Sequence, residues 1–282
     1  MRAPEVPPPM SVAVPNAAAP KADGRSVDRV NVRTLAAMKR RGEPIVMLTA
    51  YDFPTAATLD EVGVDVILVG DSVAMVVAGR DSTLAATMDQ MIYHAEMVAR
   101  GANRAMVVVD LPFPEGQLSI DRTLDSAVRV LKETRATAVK LEGGAEQSER
   151  IAAMVTAGIP VMAHVGLRPQ NIHVDGGYRK QKDVERLVAD AVAAQNAGAF
   201  AVLVECVSED VAAAIHDALS VPTIGIGAGR NVDGQVLVTH DVIGLTHGHV
   251  PTFVRRYGNV HDEIRSAAAA YADDVRKGRF PT

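Results

Sequence analysis

From about Val30 onward, short β-branched apolar runs alternate with longer amphipathic segments. The runs are IVMLTAYD (45–52), DVILVGD (65–71), AMVVVDLP (105–112), AVKLEGG (138–144), PVMAHVGL (160–167), AFAVLVECV (199–207) and PTIGIGAG (222–229), with a weaker eighth, QVLVTHD (235–241). Val, Ile and Leu are nearly continuous in them, the pattern of a strand buried on both faces. Between the runs lie helical patterns. In segment 87–101, Met88, Met91, Ile92, Ala95 and Val98 fall on one stripe. A Thr at its start and a Gly at its end make a cap pair. Segment 31–40 predicts an extra helix before the first strand, and 262–277 a closing one. Strands alternating with helices eight times predict an α/β fold, a single-domain (β/α)8 TIM barrel over residues 26–282. A doubly wound open sheet shares the pattern, but eight units without a domain break favour closure.

Composition narrows the function classes. With 282 residues, 48% of them hydrophobic, the chain has enough apolar surface for one sizeable core. The first 25 residues, rich in Ala and Pro, predict a disordered tail. A net charge of -5, with 4% aromatics and no Trp, argues against nucleic acid as a partner. No apolar run is long enough to span a bilayer. The single cysteine, Cys206, excludes a disulfide framework and a cysteine-rich zinc site, and fits a reducing cytoplasm. Cys206 itself reads as a core residue.

The informative feature is how the strands end. Asp52, Asp71, Asp110, Glu142 and Glu205 each stand at or near the C-terminal end of an apolar run, as does His164. In a barrel those ends meet on one face, where active sites sit. Several carboxylates converging on one volume repel and raise each other's pKa. A divalent cation relieves that, and oxygen donors without cysteines suit Mg2+ rather than zinc. Each residue also has a plainer reading. An Asp after a strand is commonly the N-cap of the next helix, which is favoured for Asp52. His164 reads equally as a satisfied core histidine. Lys140 shares a strand face with Glu142, two residues on, and reads either as a site lysine or as half of an ordinary ion pair. GIGAGR (225–230) has the look of an anion-cradling loop, but no helix pattern follows it, so close packing of strand seven is the favoured reading. Segment 173–186, with a GG pair and seven charged residues, is expected to form a mobile or shortened lid.

The segments MLTAYD (47–52), LVGDS (68–72), DSTL (81–84), DLPF (110–113), VKLEGG (139–144), HVGLRPQ (164–170), GGY (176–178), LVECV (203–207) and IGIGAGRNVDGQVLV (224–238) together resemble the ketopantoate hydroxymethyltransferase family. The resemblance implies an Mg2+-dependent barrel that moves a one-carbon unit from 5,10-methylenetetrahydrofolate, its co-substrate, to 3-methyl-2-oxobutanoate, giving 2-dehydropantoate on the route to pantothenate. Carried over by position, Asp71, Asp110 and Glu142 are the metal residues. Asp71, Ser72, Asp110 and Lys140 contact the oxo acid. Glu205 is the proton acceptor, and His164 is a candidate to orient groups or relay protons. The family also implies a cytoplasmic homo-oligomer, a decamer in bacteria. The stretch after Tyr178 departs from the family by being shorter. Two rival readings remain. One is an Mg2+-dependent carbon–carbon lyase of the phosphoenolpyruvate mutase/isocitrate lyase type, which the place of Cys206 within a strand-end run counts against. The other is a non-catalytic ligand-binding barrel.

Overall fold

Eight parallel strands pair in chain order and the last returns to the first, closing a barrel. They are β1 (Ile45–Thr49), β2 (Val66–Val69), β3 (Met106–Asp110), β4 (Ala138–Glu142), β5 (Val161–Gly166), β6 (Ala201–Glu205), β7 (Thr223–Ile226) and β8 (Gly234–Leu237). A computed structural model describes residues 28–281, so the tail expected over 1–25 lies outside the described residues. The helices are α1 (Val32–Arg41), α2 (Phe53–Glu61), α3 (Val73–Val76), α4 (Met88–Gly101), α5 (Ile120–Glu133), α6 (Ser148–Thr156), α7 (Ile172–Asp175), α8 (Val184–Asn196), α9 (Glu209–Ala218), α10 (Thr239–Val242) and α11 (Val260–Arg276). The closed sheet rules out the open, doubly wound alternative.

The apolar runs hide a strict alternation. Every second strand residue points into the barrel, where Met47, Leu68, Val108, Ala138, Met162, Leu203 and Val236 belong to one buried cluster. The residues between them, such as Ile67, Val109, Val139, Ala163 and Val204, join a second cluster beneath the helices. Both faces are apolar because both are covered, so the period of two disappears from the sequence. Helix α1 adds Leu35 and Met38 to the inner cluster. Its capping box, with Asn31 Oδ1 accepting from the backbone N–H of Arg33 and Thr34, fixes where it starts and contributes about 1 kcal/mol.

One unit departs from the expected alternation. Residues 227–233 join β7 to β8 without a helix. Seven residues still suffice, because an extended chain covers ~3.3 Å per residue and the strand they run back along is four residues long. Gly227 (φ +60°) and Gly229 (φ +83°) make the turn, and a Cβ on Gly227 would meet the Phe253 ring at 2.8 Å. The glycines of GIGAGR therefore serve a tight turn and close packing. At the other end of the barrel Asp233 accepts hydrogen bonds from Thr223 N and Oγ1 and from Lys39 Nζ, tying this connection to α1. Every residue of α11 is at least partly exposed, including Ile264, Tyr271 and Val275.

Candidate active site

The inward positions that are apolar through most of the barrel turn polar at its C-terminal mouth. Asp110 ends β3, Glu142 ends β4 and Glu205 ends β6. Strand register sets their neighbours: Asp110 lies beside Lys140, and Glu142 beside His164. Asp71 follows β2 through Gly70 and is 4% exposed; Asp110, Lys140, Glu142 and His164 are buried as deeply. Asp52 stays apart as the N-cap of α2, its Oδ1 accepting from Thr55 N at 2.8 Å. The plain reading of that residue is the right one.

Short contacts knit the cluster together. The Asp71 backbone N–H donates to Asp110 Oδ2 at 3.0 Å. Lys140 Nζ stands 3.1 Å from Asp110 Oδ1 and 3.0 Å from His164 Nδ1. His164 Nε2 in turn lies 3.3 Å from Glu205 Oε2. The Ser72 hydroxyl shares a 2.8 Å hydrogen bond with Tyr51, whose ring is fully buried. Two residues that hydropathy and charge did not flag complete the group. Tyr51 is one. Gln170 is the other, in the turn after β5, donating from Nε2 to Asp71 Oδ2 at 2.9 Å and from its backbone to Glu142 Oε2 at 3.0 Å. Both lie inside motifs of the resemblance, but a neutral side chain in a loop carries no pattern of its own.

Four carboxyl groups share this volume with one ammonium. Two like charges 4 Å apart cost about 4 kcal/mol at an effective dielectric near 20, so the acids cannot all ionise freely. Burial, and then the neighbouring Asp110, pushes the Asp71 carboxyl up to about 7. Burial and Asp71 raise Glu142 well above the ordinary range. Burial lifts Glu205 to about 7 against the pull of Lys140. Burial alone would lower the Lys140 ammonium, but Asp110, Glu142 and Asp71 outweigh it and keep it charged. Burial and Lys140 hold His164 well below its ordinary value, leaving it neutral.

Asp71, Asp110 and Glu142 are the oxygen donors a hard cation would use. Among the described residues, no group of three or more His, Cys, Asp or Glu is already gathered as a metal-binding set. Gln170 holds Asp71 and Glu142, while Lys140 faces Asp110. The excess of negative charge and the Asp110 Oδ1 atom, buried without a hydrogen-bond partner, nevertheless fit a cation there.

The loop expected as a lid runs from α7 to α8. The Gln181 N–H donates to Cys206 O at 2.9 Å, and the Tyr178 hydroxyl reaches Met75 Sδ at 3.9 Å. Tyr178 is near enough to feel the charges of Glu205, Asp71 and Glu142, so this segment lies across the mouth. Cys206 is not the core residue expected. It sits half-exposed just beyond β6 with a left-handed φ of 50°. No described helix is long and apolar enough to cross a membrane.

Comparison with known proteins fits this geometry. A protein named 3-methyl-2-oxobutanoate hydroxymethyltransferase from Rhodopirellula baltica is 66% identical over 254 residues, 90% of this chain and 94% of its own. One of the same name from Desulforapulum autotrophicum is 51% identical, covering 90% and 96%. Among solved structures, a phosphonopyruvate hydrolase complex with oxalate and Mg2+ aligns with a TM-score of 0.60 at 15% identity, covering 88% of this chain and 87% of that one. A 2,3-dimethylmalate lyase of the phosphoenolpyruvate mutase/isocitrate lyase superfamily aligns at 0.58 and 17%, covering 88% of each. These two show a shared fold. The ketopantoate hydroxymethyltransferase family pattern matches residues 29–282, and with these relatives it establishes that the chain is an enzyme belonging to the ketopantoate hydroxymethyltransferase family.

Proposed function

We propose that the chain transfers a hydroxymethyl group from 5,10-methylenetetrahydrofolate to 3-methyl-2-oxobutanoate, giving 2-dehydropantoate, with Mg2+ as cofactor. The observation that carries this reading is the buried group of Asp71, Asp110, Lys140 and Glu142, with the partly exposed Glu205 beside it, at one barrel mouth, in a chain whose relatives bear that activity in their names. The Mg2+ in the phosphonopyruvate hydrolase complex, a barrel of the same fold, is consistent with it.

When bound, Mg2+ supplies Lewis-acid stabilisation of the negative charge that develops on the 2-oxo oxygen as the substrate becomes an enolate. Asp71, Asp110 and Glu142 would hold it. The protein's own groups do the rest. Lys140 is ion-paired with Asp110 and hydrogen-bonded to His164, which leaves donor capacity for the substrate carboxylate. Ser72, steadied by Tyr51, contacts the oxo acid beside Asp71. Glu205 removes the C3 proton, its carboxyl tuned near neutrality by burial. His164 stays neutral and holds Lys140 in place. The segment 173–186 closes over the mouth and limits access of water.

The same reading places the enzyme in the cytoplasm as a homo-oligomer. The exposed Ile264, Tyr271 and Val275 of α11 support assembly, because an amphipathic helix ordinarily buries its apolar face.

Turnover of 3-methyl-2-oxobutanoate with 5,10-methylenetetrahydrofolate tests the proposal. Formation of 2-dehydropantoate that requires both substrates, and that stops with chelator and returns with Mg2+, is expected. A well-folded, Mg2+-supplied protein that forms no product would refute it.

A further inference from the structure

The three carboxylates assigned to the cation share a feature: each has one oxygen committed to the protein. Asp110 Oδ2 accepts the Asp71 N–H. Asp71 Oδ2 accepts from Gln170 Nε2, and Glu142 Oε2 accepts from the Gln170 backbone N–H. Two of these three anchors therefore belong to a single residue. Gln170 is itself fixed. Its Oε1 accepts from Gln117 Nε2 at 2.7 Å, which anchors the amide with its Nε2 end toward Asp71. The second hydrogen on its Nε2 goes to Leu111 O at 3.1 Å. Gln170 is 6% exposed and follows Pro169 in a tight turn, so its backbone is restrained as well.

We propose that Gln170 is a positioning residue for the divalent cation. It holds Asp71 and Glu142 in the orientations that leave their second oxygens free, and so sets how tightly the ion binds. The inference rests on the metal reading of Asp71, Asp110 and Glu142 given above. A neutral amide suits the task. The side-chain amide donates to Asp71 and the backbone N–H to Glu142, without bringing another charge into a pocket that already holds four acids. A lysine there would compete with the cation, and a carboxylate would need a proton of its own to donate. Gln117 belongs to the same device one step further out, because it orients the amide without touching Asp71 or Glu142.

The test measures cation affinity in the absence of both substrates, by calorimetry with Mg2+ and by electron paramagnetic resonance with Mn2+. Gln170→Met keeps the length of the side chain and the backbone N–H to Glu142 but loses the donor to Asp71. Its dissociation constant is expected to rise about 10–100-fold, the usual effect of removing a group that orients a metal ligand. Gln117→Leu frees the amide to flip and is expected to weaken binding in the same direction by less. It also carries the test if the Met variant does not fold. A purely structural role would lower the melting temperature and leave the dissociation constants alone. If the parent binds the ions and both folded variants match it, the proposal is overturned while the metal reading stands. If the parent binds neither ion, the metal reading itself fails and takes the proposal with it.

Discussion

Glu205 Oε2 lies 3.3 Å from His164 Nε2, yet no aligned hydrogen bond reaches that nitrogen among the described residues. The other ring nitrogen explains the arrangement. His164 Nδ1 faces Lys140 Nζ at 3.0 Å, and an ammonium can only donate. Nδ1 is therefore the acceptor, and the ring proton belongs on Nε2. The imidazole has no free basic nitrogen, while Glu205, whose side chain keeps 20% of its surface open, has both proximity and capacity. This arrangement favours Glu205 over His164 as the proposed base, with His164 facing the lysine.

Glu205→Gln separates these roles. Gln keeps the size but cannot take a proton. Turnover is expected to fall ~10²–10⁴-fold, the scale of a lost general base, with Mg2+ and oxo-acid affinity within a few-fold of the parent. Exchange of the C3 hydrogen with deuterated water, followed without folate, isolates the step. Exchange at the parent rate in the Gln variant would remove Glu205 from the role.

The pH profile follows from the same group. Burial raises the Glu205 carboxyl from 4.5 to about 7, so the proton-accepting form predominates only above that pH. With saturating Mg2+, kcat/KM is expected to fall tenfold per pH unit below about 7 and to level off above it. His164, held well below its ordinary value, stays neutral across this window and adds no limb. The residual activity of Glu205→Gln should lack the acid limb. A profile identical in shape to the parent's would assign the limb elsewhere.

The barrel was legible in the sequence because each apolar run marks a strand covered on both faces, and six of the seven connections between strands carry a helix. The β7–β8 connection was less so, since Gly227 and Gly229 turn the chain where a helix was expected. Asp71, Asp110, Glu142 and Glu205 stood out as charges at the ends of apolar runs. Lys140 and His164 stood out beside them, but the contacts that join the group did not. The contact of Lys140 with His164 depends on the register of β4 on β5, and Gln170 reaches Asp71 across 99 positions. Hydrophobic periodicity encodes neither. Cys206 was misread because LVECV looks continuous, whereas the chain leaves the strand just before it.

Asp110→Asn probes the cation assignment with little change in shape. The amide oxygen can still accept the Asp71 N–H, so the fold should survive, but the charge that faces Lys140 at 3.1 Å is gone. Mg2+ affinity is expected to drop by more than the ~10–100-fold typical of a residue one shell further out, and turnover should vanish. Calorimetry checks the first and product formation the second. Parent-like Mg2+ binding in a folded Asn variant would exclude Asp110 as a ligand.

Tyr51→Phe tests whether the tyrosine acts through Ser72. The Tyr51 ring is buried, 5.5 Å from the His240 ring and 6.4 Å from that of His94, so Phe fills the same space. Only the hydroxyl is lost, and with it the 2.8 Å hydrogen bond that fixes the Ser72 rotamer. A hydrogen bond of this kind contributes about 0.5–1.5 kcal/mol net. If Ser72 holds the oxo acid, KM for that substrate should rise by about 2- to 12-fold, with Mg2+ affinity unchanged, because neither residue is among the donors proposed for the cation. Ser72→Ala should raise the same KM. The double variant decides between positioning and coincidence. Residues that act as one unit do not add, so Tyr51→Phe combined with Ser72→Ala should be no worse than Ser72→Ala alone. Full additivity of the two effects would show that Tyr51 stabilises the barrel mouth independently and plays no part in holding the substrate.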